Sequence, residues 1–199
     1  MADRVRISDL DFVYISFKEP NKEENWADLK NKVPWAKRVD GVEGSDAAHK
    51  AAGEASSTER FILVDGDNIV DASLFDQQIN IESMPPDAVI RWQALNSING
   101  LKYGNGGVSS WTRKFVSEMK THENSEGDDQ SLIEFCFHDQ YVAVQECFST
   151  SVINTTDKQA WMAGFREGVK MSLNQGARVS PANFLKDIWR PNLRNLCIW

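Results

Sequence analysis

Four apolar residues, Phe61 to Val64, run directly into Asp65-Gly66-Asp67. An apolar run favours burial, whereas two carboxylates do not. Two carboxylates one residue apart attract a hard divalent cation. Mg²⁺ and Mn²⁺ prefer oxygen ligands, and Mg²⁺ commonly shares its shell between one or two carboxylates, water and substrate phosphates. Gly66 omits a side chain where a ligand would approach closely. The bland alternative is an Asx-type turn closing a strand, with Asp-Gly as its turn chemistry. In open α/β sheets, ligands sit beyond the carboxyl ends of the strands, and this pair stands just past such an end.

The elements that must position the pair read as alternating strand and helix. Residues 12–15 (FVYI) form a short β-branched and aromatic run, hence a buried strand. Residues 26–33 suit a short helix stopped before Pro34, and 36–42 suit a strand and turn. Ser45 or Asp46 is placed to cap a helix over 46–56. Its Ala47, Ala48, Ala51, Ala52 and Ala55 share a face, so the helix can lie close to a sheet. Residues 60–64 supply the next apolar strand. The pattern implies an α/β fold with a largely parallel sheet.

Further along, 87–92 reads as a strand after the turn-forming Pro85-Pro86, and 96–111 carries four glycines. Residues 121–130 are polar and read as a loop, and 141–148 as a strand. Residues 155–173 form a helix in which Trp161, Phe165, Val169 and Leu173 recur every four positions. Thr155, Thr156 or Asp157 can cap it. Gln159 and Arg166 fall on the opposite face.

Of 199 residues, 41% are hydrophobic and 26% charged, enough apolar material for one core. The net charge of -7 gives no support to a broad basic surface for nucleic acid. Three cysteines suggest a reducing compartment without a disulfide framework. No apolar leader or membrane-length run occurs, so the expected location is cytoplasmic. Seven tryptophans suit core packing, with a few free to stack on a base or sugar face. The final residues, LRNLCIW, are apolar and strand-like, which suits either a terminus tucked into a sheet or a chain that continues.

An apolar strand ending in Asp-x-Asp resembles the metal and nucleotide-sugar motif of GT-A glycosyltransferases. The segments EPNKEENWADLK, WAKRVDGVEGSDAAHKAAGEAS, FILVDGDN, NSINGLKYGNGGVSSW and NTTDKQAWMAGFREGVK together look like a phage-associated group of that fold. Members with assigned roles glycosylate hydroxymethylated pyrimidines in phage DNA. The resemblance covers most of residues 11–175. It implies one GT-A-like domain over 1–199, a Rossmann-type, mainly parallel sheet flanked by helices. Residues 176–199 would be a C-terminal extension, incomplete because chains of the group continue past an LxxLxxW-like stretch.

The resemblance also assigns roles. Asp65 and Asp67 would hold Mn²⁺ or Mg²⁺, with His138 as a third ligand or a base, although a lone histidine also serves structural roles. Tyr14, Ser16 and Phe17, at and after the first strand, would receive the nucleotide of a UDP-sugar. Tyr14 or Phe17 would stack on the base, or else join the core. Arg166 would neutralise the diphosphate, standing in for a Gln-x-x-Arg-Trp-like element whose spacing is wider here. Asp128 or Asp129 would be the general base of an inverting transfer, or simply a helix N-cap. Asn99, Tyr103, Asn105 and Gly106, in the glycine-rich segment, would line the sugar or acceptor pocket, where a flexible turn is the alternative. That segment lacks the GK[ST] ending of a P-loop.

The implied reaction moves sugar from a UDP-sugar to the hydroxymethyl group of 5-hydroxymethylcytosine in DNA. Arg91, Trp92, Lys102, Trp111, Arg113 and Lys114 could meet a flipped base and its phosphates, or be a surface rim with core tryptophans. Two alternatives stand beside this. One is the same fold acting on a small molecule, glycan or protein. The other is a non-catalytic α/β binding or assembly module whose Asp-Gly-Asp is only a turn. No membrane partner is expected, and the oligomeric state is open.

Overall fold

The computed structural model describes residues 4–104, 107–120, 141–171, 173–174, 177–178, 180–183 and 185–186. In chain order these form β1 (Arg4–Arg6), β2 (Asp11–Ser16), α1 (Lys22–Lys32), β3 (Lys37–Asp40), α2 (Ser45–Ala55), β4 (Arg60–Asp65) and β5 (Asn68–Val70). Then come β6 (Gln78–Asn80), β7 (Val89–Asn96), β8 (Lys102–Tyr103), β9 (Val108–Thr112) and α3 (Arg113–Glu118). The last are β10 (Tyr141–Ser151), α4 (Asp157–Met171), β11 (Leu173–Asn174), β12 (Ala177–Arg178) and α5 (Pro181–Asn183).

The fold is α/β, built on an eight-stranded sheet in the order β3-β2-β4-β9-β7-β10-β5, with β8 on β7. Strands β2, β3, β4, β7 and β10 point one way, and β5, β8 and β9 run against them. The sheet is therefore mixed, with β9 inserted in reverse between the two parallel sets.

The four central residues of β4, Phe61 to Val64, are all apolar because both faces of the strand are covered. Ile62 and Val64 face a core with Phe12, Tyr14, Leu29 and Val33, beneath α1. Phe61 and Leu63 face the other core with Val13, Ala52, Trp111 and Phe115, beneath α2 and α3. Side chains alternate along a strand, so one continuous apolar run serves two cores. Burying each of these large side chains is worth roughly 1.5–3 kcal/mol.

Helix α2 departs from the expected alanine face. Its buried residues are Asp46, His49, Ala52 and Gly53, while Ala47 is exposed. The cap is Gly44, at φ 96, rather than Ser45 or Asp46. Close approach is made by Gly53, where an added Cβ would lie 2.5 Å from Val116 Cγ2. Trp92 and Trp111 are 5% and 1% exposed. They are core residues and cannot form a nucleic-acid platform. Among the described residues, no helix is long and apolar enough to cross a membrane.

Candidate active site

Parallel pairing brings the carboxyl ends of β3, β2 and β4 together. Ser16 lies opposite Asp40, and Ile15 opposite Asp65. Beyond β4 the chain turns through Gly66 and Asp67 into β5. The turn is anchored by its backbone at all three residues. Asp65 N donates to Gly107 O and Val152 N donates to Asp67 O, both at 2.8 Å. Gly66 O accepts from Tyr14 Oη at 2.8 Å and Asn25 Nδ2 at 2.9 Å. The backbone is thus committed to the fold, and the two carboxyl groups are left to project.

Both carboxyl groups are partly open to solvent but enclosed by protein on most sides. Burial and then the Asp67 charge push Asp65 up to about 8, against an opposing pull from Arg91 and Arg166. Burial also raises Asp67, against the hydrogen bond from Asn68. Among the described residues, no hydrogen bond reaches the Asp65 carboxyl group. Two crowded carboxyl groups, with no salt bridge to either among the described residues, fit a divalent cation, whose charge would stabilise their ionised forms. Among the described residues, no group of three His, Cys, Asp or Glu side chains could hold a metal. The remaining positions would fall to water and substrate oxygens, as is usual for Mg²⁺.

Two cavities meet at the pair. One, of about 310 Å³, is lined by Ser16, Phe17, Glu19, Gly44, Ser45 and His49. The other, of about 90 Å³, is lined by Asn68, Tyr103, Gly107, Ser151, Ile153 and Glu167. Asp65, Asp67 and Arg166 line both. The start of α2 opens into the larger cavity, and the first N–H groups of a helix lack intrahelical partners and favour anions. A third groove, of about 490 Å³, lies between α2 and α3, where Lys50, Arg113 and Lys114 alternate with Glu54 and Glu59. It contains none of the carboxylate pair.

The expected site residues divide into three groups. Asp65, Asp67, Ser16, Phe17, Tyr103 and Arg166 converge on the two cavities. Phe17 is half-exposed, with Lys18 Nζ 4.3 Å from its ring centroid, so one face of the ring is already taken. Ser16 donates from Oγ to Asp40 Oδ1 at 2.7 Å.

Tyr14 and Asn99 need correction. Tyr14 is fully buried, and its hydroxyl lies 2.8 Å from both Lys22 O and Gly66 O. It supports the acidic turn and presents no ring to a base. Asn99 is exposed, and its Oδ1 accepts from Leu101 N at 3.0 Å, closing the β7–β8 hairpin. Asn105, Gly106, Asp128, Asp129 and His138 lie outside the described residues.

Helix α4 delivers Arg166 with the polarity of its faces reversed from a core-facing amphipathic helix. Trp161, Phe165 and Val169 are 65%, 57% and 44% exposed, and the two rings stack at 5.3 Å. The inward contacts are polar. Gln159 Nε2 donates to Asn21 Oδ1 and Val152 O, both at 3.2 Å. Small Ala160, Ala163 and Gly164 lie half-buried beside it.

Sequence reasoning missed Glu19, His49, Asn68 and Gly107. Glu19 Oε2 accepts from Phe17 N at 2.7 Å and lies 2.9 Å from where a Cβ on Gly66 would stand. The space beside Gly66 is thus occupied by a protein side chain, whereas sequence suggested ligand approach. Asn68 follows the acidic pair directly, which was the one available signal.

No family model matches the sequence, and no curated protein matches it. Solved structures of similar shape include a glycosyltransferase involved in glycosylation of the major capsid of the virus PBCV-1. It is 12% identical, with a TM-score of 0.44, and 78% of this chain and 98% of that chain are covered. HddC from Yersinia pseudotuberculosis complexed with GMP-PN is 12% identical, with a TM-score of 0.46, covering 79% and 99%. A 4-diphosphocytidyl-2C-methyl-D-erythritol synthase from Anaerococcus prevotii is 12% identical, with a TM-score of 0.44, covering 81% and 98%. Likeness this distant assigns no role to any residue of this chain.

Proposed function

We propose that this chain is a metal-dependent glycosyltransferase that takes its sugar from a UDP-sugar. One observation carries the reading. A backbone-anchored carboxyl pair, with no neutralising hydrogen-bond donor on Asp65, stands between two cavities and faces Arg166. A turn needed only for folding gains nothing from two charges that burial opposes.

Asp65 and Asp67 would hold Mn²⁺ or Mg²⁺, which would supply charge neutralisation for the departing diphosphate. Arg166 adds a fixed positive charge on the same side. Phe17 offers a face to the base, and Ser16 sits beneath it, oriented by Asp40. Tyr103 lines the smaller cavity, on the sugar or acceptor side. The acceptor oxygen forms its bond to the anomeric carbon as the bond to the diphosphate breaks. Its proton passes to Asp128 or Asp129, and the configuration inverts.

The hydroxymethyl group of 5-hydroxymethylcytosine in DNA is the acceptor favoured by the sequence resemblance. A small molecule, glycan or protein acceptor is the second reading, favoured by the net charge of -7 and the burial of Trp92 and Trp111.

The test incubates the protein with Mn²⁺, a panel of UDP-sugars and DNA containing 5-hydroxymethylcytosine. The expected result is UDP release with a one-sugar mass gain on the modified nucleoside. UDP release without that gain moves the acceptor to the second reading. No donor binding and no hydrolysis contradicts the glycosyltransferase.

A further inference from the structure

Asn68, the residue after the acidic pair, is 2% exposed and fastened at both ends of its carboxamide. Its Nδ2 donates to Asp67 Oδ1 at 2.7 Å, and its Oδ1 accepts from Ser149 Oγ at 3.2 Å. Ser149 is 5% exposed. On the β5–β10 ladder Asn68 pairs with Ser151, so Ser149 stands diagonally across from it, within side-chain reach. The opposite wall is Gly107, where an added Cβ would fall within the Asn68 carboxamide. Glycine is required there by a neighbouring protein side chain, independently of any ligand.

With Asp67 ionised, as a cation ligand must be, the chain of bonds has one self-consistent direction. An ionised carboxylate only accepts, so the amide nitrogen must face Asp67. The amide oxygen then faces Ser149, whose hydroxyl must donate to it. Reversing the amide would set an acceptor against an acceptor.

We infer that Asn68 and Ser149 are positioning residues: they fix the Asp67 carboxylate by occupying Oδ1, leaving Oδ2 as the oxygen presented to the cation. This rests on the reading of Asp65 and Asp67 as the metal pair. Asn68 acts through Asp67, as groups that orient metal ligands commonly do.

Two readouts on the full chain test it. The first is hydrogen exchange of the Asn68 side-chain amide protons by NMR without metal. They exchange slowly in the wild type and at least tenfold faster in Ser149→Ala. The second is Mn²⁺ affinity, with and without UDP, from loss of the free-ion EPR signal. Asn68→Ala weakens it about 10–100-fold, a range typical of ligand-orienting groups. Ser149→Ala weakens it less, and Ser149→Thr, which keeps the hydroxyl, restores it.

Asn68 amide protons exchanging as fast as those of an exposed asparagine overturn the clamp, whatever the metal does. A protected amide with unchanged Mn²⁺ affinity in both alanine variants overturns the positioning role. A wild type that binds no Mn²⁺ while the amide is protected contradicts the metal site, and with it the role of Oδ2, but not the clamp.

Discussion

Asp40 and Asp65 end parallel strands on either side of β2, yet they are treated in opposite ways. Asp40 accepts from Lys22 Nζ at 2.7 Å and from Ser16 Oγ at 2.7 Å, and these bonds hold its carboxyl below the usual range. Asp65 has neither kind of partner among the described residues, and burial pushes it up to about 8. The same contrast separates the two sides of the sheet at the carboxyl ends of these strands. Around α1 and β3 the charges are matched, as in Arg38 with Glu23 at 2.6 Å. Around β4 they are concentrated and left for something else to neutralise. A carboxylate paired within the fold is a structural part, and an unpaired crowded one is a reason to look for a cation.

The largest effect expected is on activity. Asp67→Asn should lower transfer by on the order of 10²–10³-fold, as removing a principal electrostatic stabiliser commonly does. Asp40→Asn should leave the chemical step nearly intact. Equal losses in steady-state kinetics would erase the contrast. Arg166→Ala should cost roughly 10–100-fold, if one charged hydrogen bond to the diphosphate is lost. A fall confined to KM would reduce Arg166 to ground-state binding.

The two carboxyl groups also predict opposite pH behaviour. Asp65 is raised when folded, so the unfolded chain releases this proton first. Its contribution to the stability of the metal-free protein is therefore lost as pH rises from the ordinary carboxylate range through about 8. Asp40 is lowered, so its contribution is present above its unfolded pKa and lost as pH falls through the folded one. Urea unfolding across that range should show the alkaline loss in the wild type and much less of it in Asp65→Asn. Mn²⁺ should offset the loss in the wild type only. An alkaline loss of equal size in Asp65→Asn would assign it to another group.

Smaller effects probe the supports. Tyr14→Phe removes one donor to the Gly66 carbonyl while Asn25 keeps the other, so about 1 kcal/mol of stability should go. Trp161→Ser, on the exposed stripe of α4, should change stability by less than about 0.5 kcal/mol. A cost of several kcal/mol in denaturant unfolding would mean that the stripe is covered.

Much of the sheet was legible because its strands are short apolar runs between polar turns. Strand β4 is the clearest case, since both its faces are covered and its four apolar residues needed no alternation. The position of the acidic pair past the end of a buried strand was legible, but its role was not, since an Asx-type turn explains the same triplet. Helical spacing set Arg166 on the face it shares with Gln159, and it lines both cavities beside the acidic pair.

What failed depended on contacts distant in sequence. The period-four stripe of α4 marked a helix but not the face that packs, because Gln159 docks on Asn21 and Val152 through hydrogen bonds. Tyr14 read as either a stacking or a core residue, and its burial and the contact of its hydroxyl with Gly66, 52 positions away, decide for the core. The need for Gly107 comes from Asn68, on another strand, which no local pattern could supply.

The most direct measurement is calorimetric titration of Mn²⁺, in the presence of UDP, into the wild type, Asp65→Asn/Asp67→Asn and Asp40→Asn. The account predicts saturable one-site binding in the wild type that tightens as pH rises toward 8. It predicts the same in Asp40→Asn and none in the double variant. Binding of equal strength in all three proteins would contradict a cation site at Asp65 and Asp67.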